Sequence, residues 1–166
     1  SHDKIIGSSK LVDMIKVLGC GIGQDFDISK LKYHRIILLS DADVDGSHIQ
    51  CLHMTNFYRI MRPIIEAGYV YAACPPLFIA QKGSEVKYLL NDAELKEFNS
   101  EGWTILRNKG LGEMEPQELW DSTMNPETRN LIQITIDDIE DTEEALSLCM
   151  GKDVDARREF ILEEFK

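Results

Sequence analysis

Apolar residues recur along this chain at two spacings, and each spacing predicts a different element. Leu11, Met14, Ile15 and Leu18 fall at helical intervals after Ser8 and Ser9 and stop at Gly19, so a capped amphipathic helix is expected there. Ile36-Ile37-Leu38-Leu39 is a continuous aliphatic run, the mark of a buried strand over Arg35 to Ser40. From Ser47 the helical spacing returns at Ile49, Leu52, Ile60, Met61, Ile64 and Ile65, ending before Gly68, with Pro63 expected to kink the helix or end it early. Tyr69 to Cys74 reads as a second strand closed by Pro75-Pro76. Leu77–Ala80 and Val86–Leu90 flank Lys82-Gly83-Ser84-Glu85 as a hairpin. A short helix over Asp92 to Phe98 and a strand over Trp103 to Arg107 follow. A helix beginning at Pro116 and running to about Thr123, a strand over Leu131 to Ile136, and helices near Thr142–Met150 and Asp155–Phe165 complete the series. Strands alternating with helices predict an α/β fold with a mostly parallel sheet flanked by helices.

Composition adds bounds. The chain has 166 residues, enough for one domain plus an appendage. No apolar run approaches the ~18 residues of a transmembrane helix. Cys20, Cys51, Cys74 and Cys149 are scattered with no CxxC pair, which disfavours zinc and predicts reduced, buried thiols in a cytoplasmic protein. Charge is uneven. Residues 1–90 hold 10 basic and 9 acidic side chains, a net of +1, and residues 91–166 hold 8 and 20, a net of −12. An acidic chain is a poor free-standing nucleic-acid binder, although a subunit that meets DNA through a metal and a few basic residues remains compatible with it.

The candidate chemistry sits at the end of the first strand. Asp41, Asp43 and Asp45 stand at alternate positions before Gly46. Three carboxylates at one strand end repel each other, and a hard divalent cation removes that penalty; Mg²⁺ suits best because it takes few carboxylates and keeps open positions for phosphate oxygens. The spacing also opens an EF-hand loop, but the twelfth position is Leu52 where that loop needs Glu, and a strand precedes it instead of a helix. Asp43-Val44-Asp45-Gly46-Ser47 resembles the nucleophile motif of haloacid-dehalogenase-type phosphatases, in which the nucleophile follows the strand directly; here Asp41-Ala42 intervenes. The segment also resembles the acidic motif of the Toprim fold. His48 fits either a phosphate contact or a polar helix-start residue beside the metal. In Lys109-Gly110-Leu111-Gly112-Glu113, the two glycines allow a tight turn and a close approach, and Lys109 fits a phosphate or an aspartate partner; alone, the segment would be an ordinary loop. The acidic run from Asp137 to Glu144 reads as a solvated face, partly at a helix N-terminus, and Arg157-Arg158 as partners for nearby glutamates.

Taken in order, these segments resemble the Toprim half of the B subunits of bacterial type IIA topoisomerases, the gyrase B or topoisomerase IV B class. The resemblance is carried by Leu18-Gly19-Cys20-Gly21-Ile22-Gly23, by Asp41-Ala42-Asp43-Val44-Asp45-Gly46-Ser47-His48, by Glu66-Ala67-Gly68-Tyr69-Val70-Tyr71 and by Pro75-Pro76-Leu77. It continues through Lys109 to Met114, Thr123 to Arg129, and Arg157 to Ile161, covering nearly the whole chain. It implies a Toprim domain over residues 1–140, lacking its first strand, and a helical tail over residues 141–166 toward the A subunit. It implies DNA cleavage and religation with Mg²⁺, or Mn²⁺ or Ca²⁺ in its place, held by Asp41, Asp43 and Asp45. His48, Lys109, Gly110 and Gly112 would lie near the DNA backbone. The tyrosine nucleophile would come from the A subunit in an assembly of two A and two B subunits, and ATP would bind only to the N-terminal part of the B subunit. The family's acidic EGDSA-type motif, which carries the acid/base glutamate, has no counterpart here, so no catalytic residue is assigned and the chain alone is expected to be inactive. The family's tyrosine before the Lys-Gly pair is Asn108 here. A non-catalytic fragment that docks on the A subunit is the alternative.

Overall fold

The computed structural model describes residues 8–164. They divide into two compact units. One comprises residues 8–34, 52–69 and 134–164, and the other residues 35–51 and 70–133.

The first unit is helical. Helix α1 (Ser9–Leu18) ends at Gly19, which adopts φ 77° and donates its N–H to the Ile15 carbonyl, the left-handed stop that glycine makes without strain. Helix α2 (Val44–Ile60) starts three residues before the expected Ser47 and enters this unit in its second half. Pro63 acts as anticipated: α2 stops, Met61 breaks the backbone, and helix α3 (Arg62–Glu66) begins with the proline in its first turn, where no intrahelical N–H is needed. Phe57, Met61 and Ile64 are fully buried. Helices α6 (Ile139–Met150) and α7 (Val154–Glu164) pack on each other. The acidic run behaves as a solvated helix start, with Asp138 accepting from the Asp141 N–H as its cap. Among the described residues, Arg157 makes no ion pair with a glutamate, contrary to what its sequence context suggests. Its guanidinium donates to the carbonyls of Leu148 at 3.0 Å and Gly151 at 2.7 Å, satisfying the open end of α6.

The second unit holds two three-stranded sheets. In the first, β1 (Ile36–Leu38) pairs with β2 (Val70–Ala73) in parallel, Ile36 opposite Val70, and β2 pairs antiparallel with β6 (Leu131–Gln133). In the second, β3 (Phe78–Lys82) lies between β4 (Glu85–Leu89) and β5 (Thr104–Arg107), antiparallel to both. The expectation of a mostly parallel sheet is therefore corrected. The α/β class holds, but among the described strands only β1 and β2 run parallel. The two-residue turn at Gly83-Ser84, with Gly83 at φ 60°, forces β3 and β4 into opposite directions. Phe78, Ala80 and Leu89 form the core of the second sheet, covered by Phe98, Trp103 and Leu95 of helix α4 (Asp92–Glu97) and its surroundings. Helix α5 (Pro116–Leu119) opens on its proline as expected and widens into a π turn over Trp120–Met124.

None of the four cysteines forms a disulfide. Cys20 is buried and Cys51 and Cys74 are half-buried, but Cys149 is exposed, so the expectation of four buried thiols fails there. Burial raises the Cys20 and Cys74 thiols above their ordinary pKa and thins their reactive thiolate. Desolvation is the largest cause at both thiols, outweighing a backbone hydrogen bond to each. Alkylation with iodoacetamide near neutral pH should modify Cys149 first and Cys20 and Cys74 last, read by peptide mass spectrometry. Equal rates at all three would contradict this packing. No described helix is long and apolar enough to cross a membrane.

Candidate metal centre

Strand β1 delivers the aspartates to its C-terminal end, where open α/β sheets bind their ligands. Leu38 is the last strand residue, Ser40 is buried, and Asp41, Asp43 and Asp45 are all exposed. The three carboxylates have different local duties. Asp41 reaches a segment seventy residues away, where its Oδ1 accepts the Leu111 N–H at 2.8 Å. Asp43 caps α2, its Oδ1 accepting the Gly46 N–H at 2.7 Å while its carbonyl accepts the Ser47 N–H at 3.0 Å. Asp45 lies in the first turn of α2, where the helix dipole favours negative charge.

Two glycines keep this arrangement tight. A Cβ on Gly46 would overlap the Asp41 carbonyl oxygen and lie 2.9 Å from its carbon, so the start of α2 can close on the Asp41 backbone only with hydrogen at that position. A Cβ on Gly110 would lie 3.3 Å from the Asp41 carboxylate carbon. Gly112 differs, because a Cβ there would meet nothing within 4 Å. The close approach expected of both loop glycines belongs to Gly110 alone.

A cavity of about 390 Å³ opens beside the aspartates, lined by Ala42, Asp43, Leu77, Arg107, Asn108 and Lys109. It brings Asp43 together with two cationic side chains. The sequence predicts Lys109 near the acidic motif but not Arg107, whose place at the end of β5 reads only as strand. His48 is exposed on α2. Sequence reasoning also misses the Ser40 hydroxyl, which is buried without a hydrogen-bond partner immediately before Asp41. A small polar residue between an aliphatic run and an acidic motif is the signal that could have marked it.

The donor chemistry fits a hard cation, with a limit. Asp41 and Asp43 each commit one oxygen to a backbone N–H and leave Oδ2 for another ligand. Among the described residues, no group of three or more His, Cys, Asp or Glu side chains is gathered closely enough to enclose a metal. One or two carboxylates and several waters is the coordination that Mg²⁺ tolerates and a dedicated protein cage does not provide.

Two family models and several known proteins match this chain. The Toprim domain model matches residues 4–75, and the model for the carboxyl terminus of the DNA gyrase B subunit matches residues 100–162. The DNA gyrase B subunit of Archaeoglobus fulgidus is 48% identical over 165 residues, covering 98% of this chain and 26% of that protein. Its Thermotoga maritima counterpart is 48% identical over 165 residues, 97% of this chain and 26% of its own length. The Staphylococcus aureus protein of the same name is 47% identical over 164 residues, 96% of this chain and 26% of its own. The chain thus spans about a quarter of the length of these relatives.

Proposed function

The chain belongs to the DNA gyrase B family, matching its Toprim and carboxyl-terminal regions, and from that premise we propose that it is the Mg²⁺-binding component of DNA cleavage and religation in a type IIA topoisomerase. The observation that carries the reading is the 2.8 Å hydrogen bond from the Leu111 N–H to Asp41, which joins the acidic motif to the Lys109–Glu113 loop. Asp41 and Asp43 would hold the ion, with Asp45 as a further ligand or a phosphate-orienting neighbour. When bound, Mg²⁺ would supply positive charge to stabilise the scissile phosphate and the leaving 3′ oxygen.

The chain's own groups do the positioning. Leu111 N–H orients the Asp41 carboxylate, and the Gly46 N–H orients that of Asp43. Lys109, on the cavity that Asp43 lines, offers a cation to the DNA backbone. His48, Gly110 and Gly112 belong to the same DNA-proximal surface in this reading. The nucleophilic tyrosine belongs to an A subunit and ATP binding to another part of the B subunit, with two copies of each in a cytoplasmic enzyme. Residues 1–140 form the Toprim part and residues 141–166 the tail toward the A subunit. Phe160, Ile161 and Leu162, each about half exposed on α7, support a partner for that tail.

The test reconstitutes the chain with the remaining part of a B subunit and an A subunit. Linear DNA trapped from supercoiled plasmid should appear with Mg²⁺ and vanish with EDTA, and the chain alone should give none. Cleavage that is undiminished in EDTA would refute the metal role.

A further inference from the structure

Asn108 is a buried amide at the end of β5, only 7% exposed. Its side chain bridges two backbone segments. Nδ2 donates to the Pro76 carbonyl at 3.0 Å, and Oδ1 accepts the Gly110 N–H at 3.3 Å. Its own N–H donates to the Leu77 carbonyl at 2.9 Å. Pro76 is fully buried, so one end of the bridge is a fixed point. The next N–H along, from Leu111, is the one that holds Asp41.

We propose that Asn108 is a positioning residue for Asp41, acting through the Gly110-Leu111 backbone. This deepens the metal-site reading and rests on it for its functional consequence. The geometry requires a side chain with a donor and an acceptor at the same fork. Alanine would leave the Pro76 carbonyl and the Gly110 N–H without these partners. Aspartate would keep an acceptor for Gly110 but turn a carboxylate oxygen toward the Pro76 carbonyl. In both cases the loop loses an anchor. The Leu111 N–H then wanders, and the free Oδ2 of Asp41 loses its fixed direction. Gly110 makes the coupling short, since its Cα faces the Asp41 carboxylate with room for hydrogen but little more.

The test measures amide hydrogen exchange in the full 166-residue chain without metal, together with Mg²⁺ affinity by calorimetry. In Asn108→Ala, Leu111 N–H exchange should accelerate about fivefold to tenfold, the effect of losing roughly one hydrogen bond, while Ile64 and Met61 in the helical unit keep their protection. Asn108→Asp, which preserves shape, should show the same change at smaller amplitude and serves if the alanine variant does not fold. Mg²⁺ affinity should fall several-fold in either variant, and adding either to Asp41→Asn should cause no further loss. Unchanged Leu111 exchange in a folded variant overturns the proposal, as does an equal loss of protection throughout both units. Selective loosening at Leu111 in a chain whose unaltered form binds no Mg²⁺ would refute the metal reading and leave the placement of Asp41 by Asn108 standing.

Discussion

Gly46→Ala should lower the melting temperature, by up to about 8 °C, against the gain that helix propensity alone would give. Inside a helix, alanine is favoured over glycine by about 1 kcal/mol. Here the added Cβ would overlap the Asp41 carbonyl oxygen and lie 3.0 Å from its backbone nitrogen, and neither atom can turn away as a side chain would. The start of α2 and the Asp41 segment must separate, a backbone shift of the kind that costs about 1–3 kcal/mol and occasionally more. Offset by the roughly 1 kcal/mol of propensity, the net loss is up to about 2 kcal/mol, and at roughly 2–4 °C per kcal/mol for a chain of this size it gives the stated range. Two other glycines supply the contrast. Gly110→Ala meets a carboxylate that can rotate, so stability should change little while Asp41 is displaced. Gly112→Ala meets nothing and should be close to neutral. Circular-dichroism melts of the three variants check the order, and a Gly112→Ala loss as large as that of Gly46→Ala would contradict it.

That ranking is only partly legible in the sequence. The aliphatic run before Asp41 places the carboxylates at a strand end, and the glycines around Leu111 suggest a close approach. Nothing in the order of residues says which glycine approaches which neighbour, because the contact between Asp41 and the Gly110-Leu111 segment joins residues about seventy positions apart. Periodicity also carries no strand direction. Leu131–Ile136 reads as an alternating strand, yet the antiparallel pairing of Leu131–Gln133 with β2 depends on how residues 74–130 return the chain. Pro63 and Gly83 are legible because their effects are local: one removes a hydrogen-bond donor, and the other admits a tight turn. The roles of Asn108 and Arg157 are not, because each side chain bonds main-chain carbonyls whose positions only the fold provides.

Asp43 should separate stability from chemistry, and the separation depends on which residue replaces it. Its carboxylate has two duties: Oδ1 caps α2 through the Gly46 N–H, and Oδ2 is available to a cation. Asparagine caps a helix about as well as aspartate, whereas alanine loses about 0.5–2 kcal/mol at such a position. A neutral amide, however, is a poor replacement for a carboxylate on a hard cation. Asp43→Asn should therefore melt within a few degrees of the unaltered chain yet reduce Mg²⁺-dependent DNA cleavage in the reconstituted enzyme on the order of 100-fold or more. Asp43→Ala should lose activity to the same extent and also lose the cap. If Asp43→Asn cleaves normally while Asp43→Ala does not, the alanine defect is one of helix capping. The ion would then be held by Asp41, whose Oδ2 is likewise left open by a backbone hydrogen bond to Oδ1 alone.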